Sequence, residues 1–124
     1  MILTLHDLPE PPSANRYWRH ARGRTYLSKE AKDYRETILS AYCARYKSLR
    51  IAFPIEPLSV TFTWLRARKS GDLDNRIKQL LDALRGLAYT DDAQIVHIDA
   101  TRHDGKRKGR IDVTIEPALI RYAG

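Results

Sequence analysis

Apolar and polar residues follow two different periods along this chain, and these periods divide it into strands and helices. Between Leu58 and Trp64, apolar residues occupy every second position, which is typical of a strand with one buried face. From Ser28, a suitable N-cap, to about Tyr46, apolar residues recur three and four positions apart, which predicts a long amphipathic helix. The chain therefore combines both kinds of element.

A second helix is predicted by four residues at the spacing i, i+3, i+4 and i+7, namely Ile77, Leu80, Leu81 and Leu84. Gly86 stands where a residue with positive φ commonly ends a helix. The spacing indicates a helix of about three turns.

Three shorter apolar segments predict further strands, at Ile2–Leu5, Ile95–Ala100 and Ile111–Ile115. After the first, the proline-rich stretch Leu8–Ser13 takes the chain out of the sheet, because proline removes backbone donors. The charged turn His103–Gly109 joins the last two strands.

Between the prolines and the first helix, Asn15–Leu27 carries four arginines among three aromatic residues, with Gly23 marking a tight turn. This segment predicts a basic loop or irregular hairpin. The whole order is strand, basic loop, helix, strand, helix, strand, strand. It indicates an α/β (α+β) fold, a small single domain over residues 1–124 with a mixed sheet and two main helices.

The composition limits the classes of molecule that this protein is expected to bind. A chain of 124 residues with a formal net charge of +7 attracts polyanions, of which nucleic acid is the commonest. Cys43 is the only cysteine, so a disulfide within the chain and a zinc site of the CxxC type are excluded. Without a long apolar run, an N-terminal signal pattern or a phosphate-binding glycine motif, we expect a cytoplasmic protein with access to the nucleoid, no membrane partner and no nucleotide cofactor.

Acidic residues concentrate at the entrance of the second helix. Asp72 and Asp74 lie two positions apart, so in extended backbone both point to one side, and paired carboxylates are natural ligands for Mg²⁺. Asp91 or Asp92, just before the third predicted strand, could supply a third ligand. The alternative is structural, since aspartate also caps helices and is common in turns.

Lys78 lies one helical turn beyond Asp74 and one turn before Asp82. Its structural interpretation is an ion pair with Asp82, contributing about 0.3–0.5 kcal/mol. Its functional interpretation is stabilisation of the charge on a phosphate during cleavage.

Three basic clusters accompany these acids, at Arg16–Arg24, Arg66–Lys69 and Arg102–Arg110. A basic stretch is often only a solvated surface. An acidic metal site nevertheless repels phosphate unless nearby cations reverse the potential, so a basic cluster beside Asp72 suits an enzyme acting on phosphodiesters. Tyr17, Trp18 and Tyr26 either pack in the core or stack on exposed bases.

Two segments resemble a known family, the RusA resolvases. The N-terminal one is Pro11-Pro12-Ser13-Ala14-Asn15-Arg16-Tyr17-Trp18-Arg19-His20, followed by Arg22-Gly23-Arg24-Thr25 and Ser28. The second is Asp72-Leu73-Asp74-Asn75 with Lys78, followed by Asp91-Asp92-Ala93-Gln94-Ile95-Val96. The order and separations also agree, although Ala14 stands where the family pattern has asparagine.

The resemblance implies a homodimeric, Mg²⁺- or Mn²⁺-dependent endonuclease that cuts four-way (Holliday) DNA junctions, often encoded by a phage or prophage. By motif, the metal-binding carboxylates correspond to Asp72, Asp74 and Asp92, and the essential lysine to Lys78. The family's DNA-contacting segments fall on Ser13–Arg16 and Arg68–Asn75. With the basic cluster, the predicted DNA-binding residues are Ser13, Asn15, Arg16, Arg19, Arg22, Arg24, Arg68, Lys69 and Asn75.

Two other functions stay open at this point. One is a non-catalytic module that binds junctions or other nucleic acid, with steep salt dependence and no metal requirement. The other is a metal-dependent nuclease that acts mainly on flaps, forks or RNA.

Overall fold

The computed structural model describes residues 1–13, 17–48, 50–66, 73–105 and 109–118, with Asp74 described in its backbone only. Within these ranges the chain forms a mixed sheet, a separate hairpin and two helices. The elements are β1 (Leu3–Leu8), β2 (Trp18–Ala21), β3 (Arg24–Leu27), α1 (Lys29–Tyr46), β4 (Leu58–Arg66), α2 (Leu73–Leu84), β5 (Ile95–Asp104) and β6 (Arg110–Pro117).

The main sheet has four strands in the order β1-β6-β4-β5. β4 pairs antiparallel with β6 and parallel with β5, and β1 pairs antiparallel with β6. The predicted mixed sheet of an α+β fold is therefore confirmed. β4 lies inside the sheet, with a partner strand on each side, and its alternation buries Val60, Phe62 and Trp64 completely on one face.

Both helices pack on that buried face. The N-cap predicted at Ser28 is confirmed, since its hydroxyl accepts a hydrogen bond from the amide of Ala31 at 3.1 Å. Ile38 of α1 and Leu84 of α2 are fully buried against the sheet, and each such side chain contributes about 1.5–3 kcal/mol. The other face of the sheet carries mainly polar side chains.

The strands run further than the apolar pattern predicted. β1 continues to Leu8 through an irregularity after Leu5, where Asp7 takes a φ of 56° and its amide donates to a carboxylate oxygen of Asp112 at 2.9 Å. β5 extends to Asp104, which pairs with Arg66 at the end of β4. Backbone pairing does not require apolar side chains, which explains why the pattern underestimates these lengths.

The basic segment forms a hairpin, one of the two forms that the sequence allowed. Its two-residue turn consists of Arg22 and Gly23, with φ of 51° and 72°, the left-handed conformations of a type I′ turn. Neither described helix is long and apolar enough to cross a lipid bilayer.

Candidate active site

A groove of about 360 Å³ lies between α2 and β5. Its floor is apolar and its rim is charged, because α2 presents residues four apart on one face while β5 contributes residues from the helix-facing side of the sheet. It is lined by Ile77, Lys78, Leu81, Asp82, Asp92, Ile95 and Ile98.

Gln94 holds the short 3-10 turn Asp92–Gln94, which directly precedes β5. Its amide nitrogen donates to the carbonyls of Phe53 and Glu56 at 2.8 and 3.1 Å. Its amide oxygen accepts from the backbone nitrogens of Thr90 and Asp91, both at 2.9 Å. One side chain therefore ties the turn to two neighbouring segments and sets where the adjacent carboxylates lie.

The two adjacent aspartates have different roles in this turn. The Asp91 carboxylate accepts from the backbone nitrogen of Ala93 at 3.0 Å and forms a capping box with Gln94. For Asp91, the structural interpretation as a turn cap is therefore the one that the contacts support.

Asp92 lines the groove instead. Burial raises the pKa of its carboxyl above the usual value, the negative charge of Asp82 raises it further, and Arg85 acts in the opposite direction. The guanidinium of Arg85 lies 3.8 Å from Asp92 Oδ2. Within the described residues, the other oxygen, Oδ1, is buried and has no hydrogen-bond partner.

Asp82 lines the same groove, and its negative charge raises the pKa of the Asp92 carboxyl. When both are ionised, this arrangement brings two negative charges together beside a buried oxygen that lacks a donor. Such a donor set suits a hard divalent cation, which prefers carboxylate oxygens. Asp92 thus fits the metal-ligand role predicted for it.

The other two predicted metal ligands, Asp72 and Asp74, are not fully described by the structure. Asp72 and the side chain of Asp74 lie outside the described residues, and the remaining His, Cys, Asp and Glu side chains form no group of three suited to a metal. The backbone of Asp74 is helical, so the expectation that Asp72 and Asp74 lie in one extended segment is wrong at that residue. Helix α2 begins at Leu73, and an aspartate just inside a helix start is favoured by the helix dipole.

Lys78 is exposed on the groove side of α2. The ion pair with Asp82 that the spacing allowed is not formed, although both residues are described. Lys78 therefore lines the groove without that ion pair, and its interaction with a phosphate stays a prediction.

Three residues near the groove were not predicted from the sequence as part of the site, namely Asp82, Arg85 and Gln94. The signal for Asp82 was present, because a residue four positions after Lys78 shares its helix face. Gln94 belongs to the motif segment, but its hydrogen bonds to the carbonyls of Phe53 and Glu56 join residues 41 and 38 positions apart and have no local signature.

The β2–β3 hairpin carries the predicted DNA-binding residues Arg19, Arg22 and Arg24, all exposed. Arg19 lies opposite Tyr26 and Ala21 opposite Arg24, so Arg19, Tyr26 and Arg24 share one face. Trp18 and Tyr26 are partly exposed, at 38% and 48%, whereas Tyr17 is fully buried. The aromatic residues thus divide between core packing for Tyr17 and availability for stacking for the other two.

Of the remaining predicted DNA-binding residues, only Ser13 and Asn75 are described by the structure. Ser13 is half-buried, and its carbonyl accepts from the amide of Tyr17 at 2.9 Å, while Asn75 is exposed in the first turn of α2. Arg66, from the second basic cluster, is buried and pairs with Asp104 at 2.9 Å. Four of the predicted residues lie outside the described ranges, namely Asn15, Arg16, Arg68 and Lys69.

Comparisons with known proteins agree with the motif resemblance. The family model for the endodeoxyribonuclease RusA matches residues 9–116. The crossover junction endodeoxyribonucleases RusA of Enterobacteria phage 82 and of Escherichia coli strain K12 are each 36% identical to this chain over 109 residues, covering 87% of it and 89% of the relative. The protein of the same name from Escherichia coli O139:H28 is 33% identical over the same length. The chain belongs to the RusA family of endodeoxyribonucleases.

Proposed function

We propose that this protein is an endonuclease that cleaves four-way DNA junctions and depends on Mg²⁺ or Mn²⁺. The observation that carries the proposal is the environment of Asp92, which lies beside Asp82 and Lys78 with one carboxylate oxygen buried and without a partner in the described part of the chain. A purely structural aspartate would use its carboxylate as a hydrogen-bond acceptor, as Asp91 does toward the amide of Ala93. The names of the relatives give the substrate class.

Asp92, together with Asp72 and Asp74, would hold the cation. When bound, the cation would supply Lewis-acid stabilisation of the reacting phosphate and activation of water. Asp92 is held in position by the turn that Gln94 anchors, so its carboxylate approaches the groove from a fixed direction. Ile77 and Leu81 form the apolar floor, which limits water around the charged groups and strengthens their interactions.

Lys78 would place its positive charge at the groove, from the α2 side. An ammonium group here interacts more strongly with the pentacovalent phosphate than with the ground state, because negative charge accumulates on the oxygens as bonds change. The products would carry a 5′-phosphate and a 3′-hydroxyl, which are ready for ligation.

The hairpin would bind the DNA backbone outside the groove. Arg19 and Arg24 lie on one face with Tyr26, a combination of cations and one exposed ring that suits phosphates flanking unstacked bases. A four-way junction must be cut on two strands, so a homodimer with one site in each subunit matches the approximate two-fold symmetry of the substrate.

The proposal is tested by cleavage of a synthetic four-way junction by the purified protein across a titration of Mg²⁺. Flap, fork, linear duplex and RNA substrates at equal protein concentration measure its selectivity. We expect paired nicks in opposite strands of the junction, no cleavage with EDTA, and loss of activity in Asp72→Asn, Asp74→Asn and Lys78→Ala.

Full cleavage by all three variants would refute the assignment of the site. Tight, salt-dependent junction binding without nicks at any metal concentration would make the protein a non-catalytic binder. Faster cleavage of flaps, forks or RNA than of the junction would keep the nuclease but change its substrate.

A further inference from the structure

One buried indole near the end of β4 is contacted by charged side chains from three parts of the chain. Trp64 lies two residues before the last residue of β4 and is fully buried. Its indole N–H donates to Glu10 Oε2 at 2.7 Å. The guanidinium carbons of Arg76 and Arg66 lie 5.5 and 6.0 Å from the centre of an indole ring, which is the range of a cation–π interaction.

Arg76 makes a second contact, with the segment that precedes the hairpin. Its Nη1 donates to the carbonyl oxygen of Pro11, and this hydrogen bond joins residues 65 positions apart. Pro11 is buried and Arg76 is half-buried. A guanidinium group suits both contacts, because its planar face can lie against an aromatic ring while its N–H groups donate to an acceptor.

The two segments that Arg76 joins are those on which the predicted DNA contacts fall. Pro11 lies two residues before Ser13, and Asn75 directly precedes Arg76 in the first turn of α2. Asp74, a predicted metal ligand, belongs to the same helical turn. The contacts of Arg76 therefore connect the N-terminal DNA-contacting segment with the part of α2 that carries a metal ligand.

We propose that Arg76 is a positioning residue. By holding the first turn of α2 against Glu10 and Pro11 through Trp64, it sets the distance between the N-terminal DNA-contacting segment and the carboxylate of Asp74. The inference rests on the proposed function, because it concerns the same site. In this role Arg76 acts through other residues and does not itself touch the cation or the reacting phosphate.

The segment that Arg76 contacts is itself held by other elements. Tyr34 of α1 donates from its hydroxyl to the carbonyl of Pro9 at 3.0 Å. Gly109, directly before β6, is buried, and an added Cβ there would overlap the carboxylate of Glu10. Glu10 thus lies between Trp64 and the start of β6. Arg76 therefore ties α2 to a segment whose position is set by the rest of the fold.

Arg66 has a different role beside the same indole. Its Nε donates to Asp104 Oδ1 at 2.9 Å, and its carbonyl accepts from the amide of Gly105 at 2.9 Å. These hydrogen bonds join the ends of β4 and β5. Arg66 therefore secures the strand that carries Trp64, whereas the contacts of Arg76 connect α2 with the N-terminal segment.

A role for Arg76 through its charge alone makes the opposite prediction for metal binding. A positive charge near the carboxylates repels a divalent cation, so removing that charge would strengthen metal binding. A positioning role predicts weaker binding, because a carboxylate that is no longer held in place must be ordered when the cation binds. The sign of the change in metal affinity distinguishes the two roles.

The first test measures Mn²⁺ binding without DNA, from the electron paramagnetic resonance signal of the free ion. Arg76→Met keeps the length of the side chain and removes its charge and its donor to Pro11. We expect about tenfold weaker Mn²⁺ binding in this variant and partial recovery in Arg76→Lys, which restores a donor. The matched control is Arg45→Met, because Arg45 is exposed and lies 5.0 Å from the ring of Tyr46 at the end of α1. This control removes the same charge and should bind Mn²⁺ like the parent.

The second test measures where the nicks fall and how fast they form. At saturating junction in Mg²⁺, Arg76→Met should cut about tenfold more slowly or worse, and its nicks should spread to neighbouring phosphodiesters, because the bound strand is no longer aligned with the carboxylates. Junction affinity in Ca²⁺ should stay near that of the parent. Gly109→Ala displaces Glu10 from Trp64 without altering Arg76, and should spread the nicks to a smaller extent.

Unchanged or stronger Mn²⁺ binding by Arg76→Met overturns the inference. So does a full cleavage rate with nicks at the parental position, even where the melting temperature of the variant is lower. Circular dichroism verifies folding, and if Arg76→Met does not fold, the same outcomes in Arg76→Lys and Gly109→Ala decide. An active parent with these negative results leaves the proposed function standing. A parent that neither binds Mn²⁺ nor cleaves a junction refutes the proposed function and this inference with it.

Discussion

The groove and the hairpin both carry predicted functional residues, but the fold supports them differently. The groove lies between α2 and β5, which pack on the core, and its key turn is held by four hydrogen bonds of Gln94. In the hairpin, all eight strand residues except Leu27 are exposed. Chemistry at a phosphorus atom needs carboxylates fixed to within a fraction of an ångström, whereas binding to phosphates tolerates a looser platform.

This comparison predicts that changes in the groove reduce cleavage without weakening binding, and that changes in the hairpin do the reverse. The largest effect is expected for Asp92→Asn, which keeps the shape of the side chain and removes its charge. Single-turnover cleavage should fall by about 10³-fold or more, because the cation loses a charged ligand. Junction affinity measured by fluorescence anisotropy in Ca²⁺ should change little.

The matched control is Asp91→Asn at the adjacent position. Asparagine also caps turns, so this variant should keep the fold and most of the activity. If Asp91→Asn is inactive and Asp92→Asn active, the assignment of roles within the pair is wrong.

The next largest effect is expected for Lys78→Ala, whose cleavage rate at saturating junction should be roughly 10²-fold lower than that of the parent. Lys78→Arg keeps the positive charge and should recover part of that loss. A purely structural role for Lys78 would instead appear as a lower melting temperature in the alanine variant, with unchanged cleavage.

Gln94→Ala tests whether the turn sets the geometry of the groove. The variant loses the four hydrogen bonds that join the turn to residues 53, 56, 90 and 91, and should lose about 1–3 kcal/mol of stability. Urea denaturation measures that loss. Cleavage should decline at a temperature where the variant is still folded, and a stability loss with full activity would show that Gln94 does not position Asp92.

In the hairpin, Arg19→Ala and Arg24→Ala should each weaken junction binding and lower the slope of log K against log salt by about 1. The cleavage rate at saturating junction should stay near that of the parent. A fall in that rate with unchanged affinity would place these arginines in the chemistry and remove the distinction between the two regions.

The smallest expected effect is a pH-dependent difference in the free energy of unfolding between Asp92→Asn and the parent. The pKa of Asp92 is raised in the folded state by burial and by Asp82, so the folded chain holds more protons than the unfolded chain between the usual aspartate pKa and the raised one. Stability therefore declines as pH increases through that window. At neutral pH without metal, Asp92→Asn should be more stable than the parent by at most about 1 kcal/mol, given the partial exposure of the group.

Thermal unfolding at a series of pH values measures this difference. The parent and Asp92→Asn should become equally stable below the usual aspartate pKa, where the side chain at position 92 is neutral in both. A less stable Asp92→Asn at neutral pH would indicate a structural carboxylate rather than a functional one.

Much of this architecture could be predicted from the residues alone. Helix α1 begins after Ser28 as predicted, because the cap is a local interaction between that hydroxyl and the amide of Ala31. The alternation from Leu58 to Trp64 correctly predicted a strand with one buried face, since a period of two reports burial on one side. The motif residues also indicated the family, which the comparisons confirm.

Other features could not be predicted. The extension of β5 to Asp104 depends on pairing with β4, and polar side chains give no signal of it. The different roles of Asp91 and Asp92 were equally hidden, because two identical neighbours differ only in what surrounds them. The predicted partnership of Asp92 with Asp72 and Asp74 stays a prediction.

By itself, the sequence determined the periodic elements, the basic character of the hairpin, the candidate acids and the family, because these depend on residue type and spacing along the chain. Only the tertiary structure decided that Asp92 rather than Asp91 lines a groove, and that Asp82 and Lys78 lie there with it. The physical reason is that desolvation, the distance between charges and the pairing of backbone groups arise from segments far apart in the chain that meet only on folding.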